Sequence, residues 1–277
     1  LYTLSLGNFG GCVNNSTNLP NPDDWAAEQV QRLRDQRPYR NLSADCPEAT
    51  VDDAYALQKA FVDALIEASD WGSVVGYKAA LTAPPAQQMM GIDHPVIGVL
   101  FSGGERIAQH AVPTDRQVML ETELGFRLHQ DITTPQTQEQ VGTSVQSVLP
   151  VIELAAPNLE QRPNAVDLIA SNSATYAFIP GAPITAPWHD NTTRPDLDQV
   201  AIRLLQETDV LHSERAGSIM QGQWQALSWL LNEVMRMGYP LRTDHLLMTG
   251  SIGALHPGKP GNYRAEYGSL GSIDFTL

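Results

Sequence analysis

Met119-Leu120-Glu121-Thr122-Glu123-Leu124-Gly125-Phe126 has the alternation of a β-strand. Leu120, Leu124 and Phe126 fall on one face, and Glu121 and Glu123 project together from the other. Alternate strand residues lie about 6.5 to 7 Å apart, so two carboxylates there can converge on one ion, and without a cation they repel. A site offering only oxygen ligands suits magnesium, manganese or calcium better than zinc. The competing reading is a strand face that simply meets water, since paired glutamates on a half-exposed strand are ordinary. What weighs against it is the rest of the chain.

At 277 residues the chain can bury a full core, as one large domain or one domain with a small appendage. Its 17 basic and 31 acidic side chains give a net charge of -14, which sets nucleic acid aside as a partner. No apolar run approaches the roughly 20 residues needed to span a bilayer. Lysine is scarce, with only Lys59, Lys78 and Lys259. Lys78 stands out because it sits inside Ser73-Val74-Val75-Gly76-Tyr77-Lys78-Ala79-Ala80-Leu81, which reads as a buried strand. A buried ammonium needs a partner or a task, unless its aliphatic stem carries it to the surface.

Residues 1–48 read as an N-terminal extension, a loose arm followed by a helix from Asp23 or Asp24 to about Arg37 that Pro38 ends. Both cysteines, Cys12 and Cys46, lie here: either a disulfide ties the extension in an oxidising compartment, or the two thiols are free. The apolar, small-residue stretch Leu1 to Gly11 is a weak hint of export. Residues 49–277 read as a single domain. Thr50 and Asp53 form a capping-box pattern ahead of Ala54, Leu57, Phe61, Leu65 and Ala68 at helical spacing. Pro84 and Pro85 open a short helix that Gly91 closes. In Val148 to Leu154 an apolar strand carries Glu153, which Pro150 would place on an edge facing water if it is not buried for a purpose. Ser171, Asn172 and Ser173 precede a further strand, residues 200–212 give conflicting signals, and Gln223 to Met237 is helical. The C-terminal part is strand and turn. Strands outnumber helices at irregular intervals, which predicts an α+β domain around a rolled mixed sheet.

Taken in order, Gly76-Tyr77-Lys78, the segment from Gln87 to Leu100, Glu121-x-Glu123, Glu153, Ser171-Asn172-Ser173 and Thr249-Gly250-Ser251 resemble one family. It is the 2-keto-4-pentenoate hydratase and 2-oxohex-3-enedioate decarboxylase branch of the fumarylacetoacetate hydrolase superfamily. The match runs from about Val51 to the C-terminus. The resemblance implies that family's mixed β-roll with flanking helices, a Mg2+ or Mn2+ ion on Glu121, Glu123 and Glu153, and Lys78 facing the substrate as the catalytic residue. It implies substrate contacts from Leu81, Asn172, Ser173, Thr249 and Gly250. It further implies a homo-oligomeric, cytoplasmic lyase of aromatic catabolism, a hydratase or decarboxylase, taking a small 2-hydroxy-2,4-dienoate or 2-oxo acid through a metal-stabilised enolate. Two departures stand out: Val96 occupies the place where relatives often have a second acid, and Ser171 stands where they often have Asp. The alternatives are an acylpyruvate-type carbon-carbon hydrolase, for which His94 is the one candidate in a matched segment, and a binding or structural member of the fold without turnover.

Overall fold

The computed structural model describes residues 19–108, 111–112 and 116–277. Cys12 lies outside the described residues, so its pairing with the buried Cys46 stays an expectation. The first helix, α1 (Pro22–Arg34), is capped by Asn21, whose side chain accepts the backbone N–H groups of Asp23 and Asp24. The cap therefore precedes the expected aspartates, and the helix stops at Arg34 because Gln36 turns left-handed ahead of Pro38. After α2 (Leu42–Asp45), α3 (Val51–Ala68) starts at the expected reciprocal Thr50–Asp53 box and carries Leu57, Phe61 and Leu65 into the core. Trp25 and Val30 of α1 join the same core.

The strands follow as β1 (Val74–Ala80), β2 (Val96–Phe101), β3 (Met119–Leu128), β4 (Val145–Ala155) and β5 (Ala177–Pro180). Between them lie α4 (Pro84–Met90), α5 (Gln138–Val141) and α6 (Ala165–Ala170). Residues 200–212, whose signals conflicted, fall in the hairpin β6 (Ala201–Gln206) and β7 (Asp209–Arg215), with only Ile202 and Leu204 fully buried on its inner side. Helix α7 (Gln223–Arg236) precedes β8 (Leu246–Met248), β9 (His256–Pro257), β10 (Asn262–Glu266) and β11 (Ser272–Thr276).

Six strands of a seven-stranded sheet run in the order β2-β1-β8-β3-β4-β5, with β9 against the start of β3. β1 and β8 are parallel and their neighbours antiparallel, so the sheet is mixed. A four-stranded antiparallel sheet runs β11-β10-β6-β7. The fold is thus α+β, a curled mixed sheet with flanking helices.

The period-two face of β3 behaves as read: Leu120, Leu124 and Phe126 enter the main core, and Phe126 packs edge-on against Trp224 of α7 at 5.7 Å. The opposite face is not the solvated one. Register places Lys78 beside Met248, Met248 beside Gly125, and Glu121 directly across from Glu153. Lys78, Glu121, Glu123 and Glu153 therefore share one face with a second apolar cluster that includes Leu149, Val151, Phe178 and Met248. The edge reading of Glu153 fails because β4 lies between β3 and β5 and the side chain is 2% exposed.

Candidate metal centre

Three carboxylates converge on the inner face of the sheet, Glu121 and Glu123 from β3 and Glu153 from β4, with one oxygen of each within 4.8 Å of the others. Among the described residues this is the single such cluster. Like charges directly opposite on neighbouring strands repel, and here burial adds the cost of desolvation. The consequence is visible in their acidities. Burial, and after it the Glu153 charge, pushes the Glu121 carboxyl up to about 8, with Lys78 and the Ser251 hydroxyl pulling the other way. Glu123, with no exposure, is pushed well above the carboxylate range by burial and by both neighbouring glutamates.

Glu123 is partly held. Its Oε2 accepts the Gly250 backbone N–H at 2.8 Å, and Gly250 reaches that position in the left-handed region, φ 109°, directly over Thr82. Its Oε1 is buried and has no hydrogen-bond partner. An orphaned carboxylate oxygen facing two further carboxylates is costly alone and satisfied by a hard cation. Three oxygen-only ligands fit a hard divalent cation.

Lys78 lies 2% exposed on β1 and its Nζ forms an ion pair and hydrogen bond with Glu153 Oε1. Burial opposes its charge, yet Glu153 and then Glu121 outweigh burial and raise its pKa, so the ammonium is retained. The sheet makes room for the stem at Gly98, its partner on β2: a Cβ there would sit 3.1 Å from Lys78 Cε and 2.6 Å from Thr175 Oγ1. The buried lysine of the sequence thus has a partner rather than a route to the surface.

Above these groups opens a cavity of about 280 Å³ with Lys78 and Glu121 in its lining. Leu81 and Ser173 line it as expected, while Asn172, Thr249 and Gly250 do not. Asn172 instead clamps β2, accepting the Val99 N–H at 2.7 Å and donating to the Val99 carbonyl at 2.9 Å. Thr249 donates to Gln223 Oε1 at 2.7 Å, and Gly250 serves Glu123. Asn172, Ser173 and Ala174 all have positive φ, 67°, 53° and 58°. Left-handed residues other than glycine are strained by about 1–2 kcal/mol each, so the Asn172 clamp and the Ser173 hydroxyl on the Ile97 carbonyl are what hold this turn against the cavity. Ser171 turns away and donates to the Asp167 carbonyl. His94 is partly exposed beside Asp93 and is not part of the lining.

No family model matches the chain. Among curated proteins it is 27% identical over 260 residues to the 2-keto-4-pentenoate hydratase of Paraburkholderia xenovorans (strain LB400), covering 92% of this chain and 94% of that one. It is 26% identical over 257 residues to the 2-oxo-hept-4-ene-1,7-dioate hydratase of Escherichia coli, covering 89% and 93%. Among solved structures, it superposes on 4-oxalocrotonate decarboxylase from Pseudomonas putida G7, complexed with magnesium and adipate, with a TM-score of 0.79 at 20% identity over 92% of this chain and 96% of that chain. The chain is thus similar over about nine tenths of its length to these hydratases, and it shares the fold of the decarboxylase.

Val96 lies fully buried in the cavity wall, so an apolar side chain stands where the second acid was sought. The sequence reading missed most of that wall, including Met90, Leu168 and Leu255. These come from α4, α6 and the loop after β8, and no periodic pattern links such distant segments. It also missed a stacked histidine pair behind β3. His212 Nε2 lies 3.0 Å from the Thr122 hydroxyl and His212 Nδ1 lies 3.1 Å from His256 Nε2. Burial, with His256 second, lowers His212 to about 4, so it is neutral. No helix among the described residues is long and apolar enough to cross a membrane.

Proposed function

We propose that this chain is a divalent-metal-dependent lyase, a hydratase or decarboxylase, acting on a small 2-hydroxy-2,4-dienoate or 2-oxo acid. The observation that carries the reading is three converging carboxylates beside a charged lysine, with Glu121 and Lys78 both lining one cavity. Glu121, Glu123 and Glu153 would hold Mg2+ or Mn2+. When bound, such an ion supplies a Lewis acid for the substrate's 2-oxygen and neutralises its carboxylate.

The chain's own part is proton handling and shelter. Loss of the 2-hydroxyl proton of a 2-hydroxypenta-2,4-dienoate and gain of one at its far carbon give the isomeric 2-oxo-3-enoate, whose C4 then takes the hydroxyl of water while C3 takes its proton. Lys78 keeps a proton at Nζ inside the cavity, which suits donation to carbon and a grip on the substrate carboxylate. Val96 and its neighbours in the wall limit the access of bulk water to the dienol.

The test is incubation of the protein with Mg2+ or Mn2+ and either 2-hydroxypenta-2,4-dienoate or an acylpyruvate, followed by ultraviolet absorbance. The expected result is metal-dependent loss of the dienoate absorbance, abolished by a chelator, with the acylpyruvate unchanged. Cleavage of the acylpyruvate would overturn the lyase reading, and no turnover of any dienoate or 2-oxo acid would overturn the enzyme.

A further inference from the structure

Resting on that reading, we propose that the site takes a monocarboxylate: a 2-hydroxydienoate or 2-oxo acid whose far end is hydrocarbon rather than a second carboxylate. The names of the relatives leave this open, because one acts on 2-keto-4-pentenoate and another on a 1,7-dioate. The cavity wall decides it. Its polar lining is Lys78, buried against Glu153, with Glu121, Thr82, Ser173 and Ser251. Most of the rest is apolar, including Val96, Leu168, Pro157, Ala86, Met90 and Leu255, and Leu255 is 48% exposed and marks the rim.

Charge points the same way. Among the described residues Lys78 is the one cation in the lining, and Glu153 already engages it. The substrate's first carboxylate has Lys78 and the ion that the glutamates would hold. A second would sit among Leu168, Met90 and Leu255 with no further cation among the described lining residues, in a protein of net charge -14.

The pair of ligands that isolates this feature is 2-oxohexanoate and 2-oxohexanedioate, equal in chain length and different only at the far carbon. Their binding to the magnesium-loaded protein is measured by calorimetry, alongside turnover of 2-hydroxypenta-2,4-dienoate. The monoacid is expected to bind about 100-fold more tightly, the scale on which a pocket rejects a charge it cannot pair. Met90→Arg and, separately, Leu255→Arg place a guanidinium in the wall and at the rim, and each should shift the ratio at least about tenfold towards the diacid. Equal or tighter binding of the diacid by the wild-type chain, with the dienoate still turned over, would overturn the monoacid assignment and leave the lyase standing. Binding of neither acid, with no turnover, would remove the lyase reading and this inference together.

Discussion

Replacing Lys78 with methionine removes the cation that faces Glu153 while keeping an unbranched stem beside Gly98. Both partners are 2% exposed, and breaking such a buried pair by deleting one member typically costs about 3–5 kcal/mol. Lys78 adds no slope between pH 5 and pH 7. Its folded pKa is raised above its unfolded value, so its contribution is fully present below the unfolded pKa and is lost only as pH rises through the folded one. Urea unfolding of the chelator-treated protein should therefore show Lys78→Met losing about 3–5 kcal/mol at pH 7. No loss at pH 7 would refute the claim that Glu153 depends on this lysine as its partner.

Lys78→Arg keeps the positive charge but is planar and practically never deprotonated, so it should retain the metal yet lose about 100-fold or more in kcat, read in the dienoate assay. Gly98→Ala introduces a Cβ 2.6 Å from Thr175 Oγ1 and 3.1 Å from Lys78 Cε, and should cost about 1–3 kcal/mol in denaturant unfolding while lowering turnover. Divalent-ion binding should tighten between pH 6 and pH 8 and release protons, because Glu121 is held protonated up to about 8 and Glu123 is shifted in the same direction. Calorimetry in buffers of different ionisation enthalpy reads that release. The metal-free protein should show the opposite trend. A carboxyl whose folded pKa is raised binds more protons folded than unfolded, so stability falls as pH rises from about 4.5 towards 8.

The fold was legible where local chemistry and burial agreed. The Thr50–Asp53 box, the Pro84–Gly91 helix and the alternation of β3 all produced the elements their residues specify. What alternation could not show was that both faces of β3 are buried, since polar side chains on an inner face look the same in sequence as polar side chains in water. Pro150 misled for the same reason: it suits an edge, yet β4 is interior and the Pro150 carbonyl accepts the Gly181 N–H. The three glutamates and Lys78 were readable because each breaks an apolar strand and so demands a reason. Asn172 and Thr249 were readable as hydrogen-bonding groups but not by direction, and the structure turns both onto backbone or Gln223 away from the cavity. Met90, Leu168 and Leu255 gave no signal because an apolar cavity wall and an apolar core use the same residues.

The central claim is that Glu121, Glu123 and Glu153 form one divalent-ion site. Calorimetric titration of the chelator-treated protein with Mn2+ and Mg2+, repeated on Glu121→Gln, Glu123→Gln and Glu153→Gln, tests it most directly. The account predicts one ion per chain for the wild type and an affinity loss of about tenfold or more for each substitution, since each removes a negative oxygen ligand from a hard cation. Binding that is unchanged in all three variants, or absent from the wild type, would contradict it.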